Sequence, residues 1–127
     1  MKIWERYPYL GYTDGVRRFR GDEEGYHAAL VEFFQENIFQ KTYHDFAARD
    51  FGLFRSDVLV LLEIADYLCM FRLYYLTVEL ACQLYSSGET NDFRGGLKAL
   101  ADVYQGTCKL VSCFDKKKMY IIRERRA

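Results

Sequence analysis

Two histidines, a pair of acids one helical turn apart, four cysteines and a basic C-terminal segment are the residues of this chain with chemistry to offer. His44 is followed by Asp45, and a carboxylate can orient an imidazole for general-base work. Neighbours along a helix do not face one another, however, so His44 reads as a partly exposed helical histidine. The other imidazole, His27, lies 17 residues away. Glu63 and Asp66 are three apart and share a face on a helix. They read as a polar edge or as partners for nearby Arg72 rather than as a catalytic acid pair. Cys69, Cys82, Cys108 and Cys113 match no zinc spacing. Cys69 and Cys82 fall inside an apolar stretch and read as buried, reduced thiols. Gly95-Gly96 lacks the flanking pattern of a phosphate loop, and no serine stands in a nucleophile elbow. No catalytic residue, metal ligand or cofactor site is assigned, and the chain reads as a non-enzyme.

What remains is recognition. Net charge is zero, with 18 basic and 18 acidic residues, which removes a global argument for nucleic acid. The distribution is uneven. Lys116, Lys117, Lys118, Arg123, Arg125 and Arg126 face only Asp115 and Glu124 near the end. Such a cluster can bind a phosphate backbone or an acidic membrane surface, or dock on a neighbouring protein, and the protein reading is preferred to nucleic acid. Aromatic residues make up 17% of the chain, and Tyr, Trp and Arg are enriched where proteins meet. The candidate partner-binding residues are therefore Trp4, Tyr7, Tyr9 and Tyr12 near the start, and Lys116, Lys117, Lys118, Tyr120, Arg123, Arg125 and Arg126 near the end.

These residues need a scaffold. A chain of 127 residues is one domain, read as a globular body over 1–115 with a basic tail over 116–127. The stretch from Ser56 to Ser86 is dense in apolar residues, free of Pro and Gly, and punctuated by Asp57, Glu63, Asp66, Arg72 and Glu79. It is expected to be the buried centre of the fold, with Leu62 in the core. A membrane span is rejected, because Glu63, Asp66 and Arg72 would each cost about 2.5–3.5 kcal/mol near the bilayer centre. Residues 1–20 lack the apolar region of a secretory signal, and the thiols point to the cytoplasm or another reducing compartment.

Around that centre, Ile3 to Phe19 is β-prone, and Thr13-Asp14-Gly15 predicts a hairpin turn, with Pro8 at an edge. Residues 22–39 predict a helix capped by Asp22, and 40–50 a second one stopped by Gly52. Ser56 is the expected cap of the next helix, with a corner at Cys69-Met70-Phe71. A loop follows over 86–91, then a helix capped by Asn91 or Asp92, in which Gly95 and Gly96 permit close packing or delay the start. Met119 to Ile122 is a β-prone run that can add an edge strand. The expected class is thus α+β and predominantly helical, with an N-terminal β-hairpin before a helical core; the alternative is an all-α bundle.

The run from Asp57 to Leu73 resembles the helical hairpin of BTB/POZ domains. Val58, Leu61, Leu62, Ala65, Asp66, Tyr67, Leu68, Met70 and Leu73 fall on that family's places. His27 stands where the family opens its first helix with a histidine, and Asp14-Gly15 with Phe19 looks like its first hairpin. The family's Ala-Ala-x-Ser stretch and third strand have no counterpart. The later segment from Cys69 to Gly88 also looks like helices of histidine-phosphotransfer bundles, but Leu59 occupies the position of the phosphorylated imidazole. The BTB/POZ resemblance implies a protein-interaction domain that self-associates or acts as an adaptor. The alternative is a structural accessory subunit of a large complex, with its tail on RNA or another subunit.

Overall fold

Among the described residues, two aspartates cap helices. Asp22 Oδ1 accepts the Gly25 amide at 2.9 Å and Asp50 Oδ1 accepts the Leu53 amide at 3.1 Å, each satisfying an amide the helix cannot. The computed structural model describes the backbone of residues 2–87 and 94–126, and the side chains of residues 2–86 and 95–113. Within these residues a 3-10 turn over Ile3–Arg6 precedes six helices. They are α1 (Tyr12–Arg18), α2 (Glu23–Glu36), α3 (Ile38–Ala47), α4 (Phe51–Tyr67), α5 (Phe71–Ser87) and α6 (Arg94–Arg126). No strand is present among the described residues, so the all-α reading holds and the N-terminal hairpin does not.

The corners between helices are tight. Arg20, Asn37, Arg49 and Cys69 each take a left-handed φ between 52° and 58°. A residue in that region past a helix end lets the next amides close back on the helix. At the α4–α5 corner the Met70 amide reaches the Ala65 carbonyl and the Cys69 amide the Asp66 carbonyl. The corner predicted at Cys69 is therefore present. The helix expected to stop at Gly52 ends earlier, at Ala47, with the left-handed Arg49 just beyond it, and Gly52 lies in the first turn of α4. Ser56 is not a cap either: Asp50 takes that place, and the Ser56 hydroxyl donates to the Gly52 carbonyl inside the helix.

The predicted hairpin turn is helical because of what α1 lies against. A Cβ on Gly15 would overlap the ring of Tyr26, so glycine here permits close approach of α1 to α2 instead of a reversal. Asp14 sits in the first turn of α1 and pairs with Arg17 at 3.5 Å. The reversal itself falls later, at Arg20 and Gly21. Before α1, the Pro8 carbonyl accepts the Arg72 amide at 3.0 Å and the Gly11 amide donates to the Cys69 carbonyl at 2.8 Å. This chain segment thus caps the start of α5.

The core sits between α2, α4, α5 and α6. Tyr26, Leu61, Leu73 and Leu100 are each fully buried. Gly96 faces Leu80 so closely that a Cβ there would clash, which is the close-packing reading of that glycine. Leu62, expected in the core, is only half-buried; its neighbour Leu61 takes the inward position. No helix among the described residues is long and apolar enough to cross a membrane. The run Met119 to Ile122 lies in helical backbone, not an edge strand. The predicted caps Asn91 and Asp92, and residues 88–91 of the expected loop, lie outside the described residues.

Candidate interaction surface

The N-terminal aromatic residues are largely spent on the protein itself. Arg72, in the first turn of α5, holds them. Its Nε donates to the Tyr7 carbonyl at 2.8 Å and its Nη2 to the Glu5 carbonyl at 3.2 Å, while its guanidinium lies 4.3 Å from the Tyr9 ring centre. Tyr7 stacks on Tyr75 with ring centres 3.7 Å apart, and the hydrogen bond between them raises the Tyr75 phenol above its ordinary value. Trp4 is half-buried against the core. Tyr12 shares a 3.0 Å hydrogen bond with His27 Nε2, and burial, then the nearby Glu23 charge, raises its phenol. Arg72 serves this arm and does not bind Glu63 or Asp66. Asp66 instead lies 4.0 Å from Arg18. The side chains of Lys116, Lys117, Lys118, Tyr120, Arg123, Arg125 and Arg126 lie outside the described residues; their backbone belongs to α6.

One polar cluster was not anticipated. Lys41 Nζ on α3 donates to Asp45 Oδ2 and to Asp57 Oδ1, both at 2.8 Å. A cap at Ser56 would place Asp57 in the first turn of its helix. With Asp50 as the true cap, it lies almost two turns inside α4, its carboxyl nearly buried and its Oδ2 without a partner in the protein. Burial, then contact with Asp45, raises the Asp57 carboxyl, whereas bonds from Asp57 and Lys41 lower that of Asp45. Lys41 thus bridges the two acids, one from its own helix and one from α4. His44 Nδ1 stands 3.8 Å from Asp45 Oδ1 on an exposed side chain. The spacing of Lys41 and Asp45, four apart, was the available signal; the arrival of Asp57 was not visible in it.

The thiols divide. Cys69 is buried at the α4–α5 corner, where burial pushes its thiol up. Cys82, expected to be buried, is exposed, because it lies on the outward side of α5. No cluster of three metal-binding side chains occurs among the described residues.

Among the described residues, four of the seven exposed large apolar side chains lie on α4. The Ser56–Ser86 stretch does form the central hairpin, but it is not wholly buried. Leu53 is 47% exposed, Leu59 36%, Val60 44% and Tyr67 56%. At 3.6 residues per turn, Leu53, Val60 and Tyr67 stack in one outward stripe with Ser56 and Glu63 between them. Leu61, Val58, Phe54 and Ala65 occupy the opposite, buried face. A helix apolar all round is normally covered on all sides; this one is covered on one. Set against family models, curated proteins and solved structures, the chain matches none.

Proposed function

We propose that this chain is a non-enzymatic protein-interaction domain, a self-associating module or adaptor of BTB/POZ-like character. The observation that carries the reading is the uncovered face of α4. Leu53, Val60 and Tyr67 on one outward stripe, with Ser56 and Glu63 between them and Leu59 to one side, give a mixed apolar and polar surface of the kind on which proteins meet. The segment that resembles the BTB/POZ helical hairpin spans α4 from Asp57 onward, the Cys69 corner and the start of α5, so Leu59, Val60 and Tyr67 lie on the resembling element and Leu53 just before it. The N-terminal aromatic arm then serves as a brace that fixes α5 against α6, with the Tyr9 ring against Gly106, rather than as the contact itself.

The second reading, an accessory subunit of a larger assembly, draws on α6. Its 33 residues span about 50 Å, and the six clustered cations fall in its last turns. An acidic protein surface is the partner this charge suits.

The test is partner capture from the native source with the wild-type chain and with Val60→Glu in parallel. A defined partner set that depends on Val60 is expected. A set unaffected by Val60→Glu, or an activity abolished by replacing His27 and His44, would overturn the reading.

A further inference from the structure

We propose that Tyr7 and Tyr75 form a site of oxidative cross-linking, where hydrogen peroxide with a haem peroxidase joins the two rings as a dityrosine and fastens the N-terminal arm to α5. This does not depend on the interaction-domain reading. The two ring centres lie 3.7 Å apart and the rings are 13° from parallel, closer than the ~4.5–7 Å usual for aromatic pairs. Their hydroxyls share a hydrogen bond. A stack whose hydroxyls meet brings the same end of each ring together, so the Cε carbons beside the two oxygens stand nearly face to face. Those carbons carry much of the unpaired electron in a tyrosyl radical.

The step balances. Each phenol gives up one electron and its proton, and the two radicals pair by forming one Cε–Cε bond. That bond forms perpendicular to the ring planes, the direction in which the stack already points. Each bonded carbon then releases its hydrogen as a proton, and each oxygen takes one back. The two electrons and two protons lost in sum reduce one hydrogen peroxide to two waters.

Position selects the pair. Reacting atoms held together need no diffusive encounter. Tyr74 also lies near Tyr75, at 5.1 Å, but its ring stands at 78°, so it offers an edge where Tyr7 offers a face. The Tyr9 ring is occupied by the Arg72 guanidinium and by Gly106. Arg72 Nε, bonded to the Tyr7 carbonyl, is a positioning residue for the stack. No residue from Ile3 to Tyr9 is buried. A segment held so lightly opens locally at small cost, which lets the joined rings leave the stack; the new bond then prevents further opening. Thiols do not reverse a carbon–carbon bond, so the link persists even where disulfides are reduced.

The experiment uses the full chain carrying Cys82→Ser, Cys108→Ser and Cys113→Ser, so that thiols do not consume the oxidant. Dilute protein is treated with a haem peroxidase and hydrogen peroxide, and the monomer is isolated. Its mass should fall by two hydrogen atoms, and tandem mass spectrometry of a tryptic digest should join Tyr7 to Tyr75. Tyr7→Phe and Tyr75→Phe, which keep the ring but form no phenoxyl radical, should each abolish the product. Tyr9→Phe and Tyr74→Phe should retain it, and Arg72→Met should lower its yield with helicity by circular dichroism unchanged. The cross-linked monomer should unfold at higher urea concentration than the untreated one, because the link closes a long loop. A monomer without dityrosine under conditions that couple free tyrosine, coupling only between molecules, or an intramolecular link that survives Tyr75→Phe would each overturn the proposal.

Discussion

The phenol of Tyr26 donates to the carbonyl of Leu68 at 2.7 Å, joining residues 42 positions apart. Tyr26 is fully buried in α2, and Leu68 begins the corner from α4 to α5. Burial raises the Tyr26 phenol far above its ordinary value, so it stays a donor at any working pH. This one bond ties the first half of the chain to the turn on which the central hairpin depends.

Removing that donor should be costly. Tyr26→Phe keeps the ring and strands the Leu68 carbonyl in the interior, at about 1–3 kcal/mol. Urea denaturation measures it. Stability unchanged within error would mean that water replaces the phenol and that the corner does not rely on it.

The two neighbouring leucines of α4 should behave differently. Leu61 is fully buried and Leu62 half-buried. Leu61→Ala should cost about 2–5 kcal/mol, and Leu62→Ala clearly less. Equal costs in thermal or chemical unfolding would show that the inward face of α4 is assigned one residue out of register.

The Lys41, Asp45 and Asp57 cluster predicts a pH dependence with a definite sign. The Asp57 carboxyl is raised by burial, so its contribution is complete below the ordinary carboxylate value, about 3.9, and is lost as pH rises through its raised folded value. The Asp45 carboxyl is lowered, so its contribution is present above the ordinary value and is lost as pH falls through its lowered one. Their joint contribution is greatest in the mildly acid window between the two. Asp57→Asn keeps the shape and removes the titration. The stability difference, wild type minus Asp57→Asn, should therefore fall as pH is raised from mildly acid to neutral. A difference that grows over that range would show that the Asp57 carboxyl is not raised.

Arg72 should control the N-terminal arm. Arg72→Met removes both bonds to the arm and the contact with the Tyr9 ring, while keeping an apolar stem. Trp4 fluorescence should then shift toward that of a solvent-exposed indole, with the helical signal little changed. An unaltered emission spectrum would show that packing alone holds the arm.

Much of the helical frame was legible in the residues. Asp22 before Glu23 and Glu24, the apolar band through Leu30 and Phe33, and the corner near Cys69 are local signals, and local interactions decide them. Asp14-Gly15 was misleading because its outcome depends on Tyr26, which comes later in the chain and needs a neighbour without a Cβ. The Ser56 cap failed for a related reason: Asp50, six residues earlier, offers a better acceptor to the same helix and adds nearly two turns to it. That extension carries Leu53 onto the outward stripe and Asp57 inward to Lys41.

By itself the sequence determined a helical chain with an apolar middle third and a punctual break in it, since periodicity, capping residues and the absence of Pro and Gly act within a few residues. Only the tertiary structure decided which side of α4 is covered, that the aromatic arm is held by Arg72, and that two acids meet over one lysine. Apolar residues all round a helix do not say which face its neighbours will take; that choice is made by how α2, α5 and α6 fit together, and it leaves Leu53, Val60 and Tyr67 facing outward.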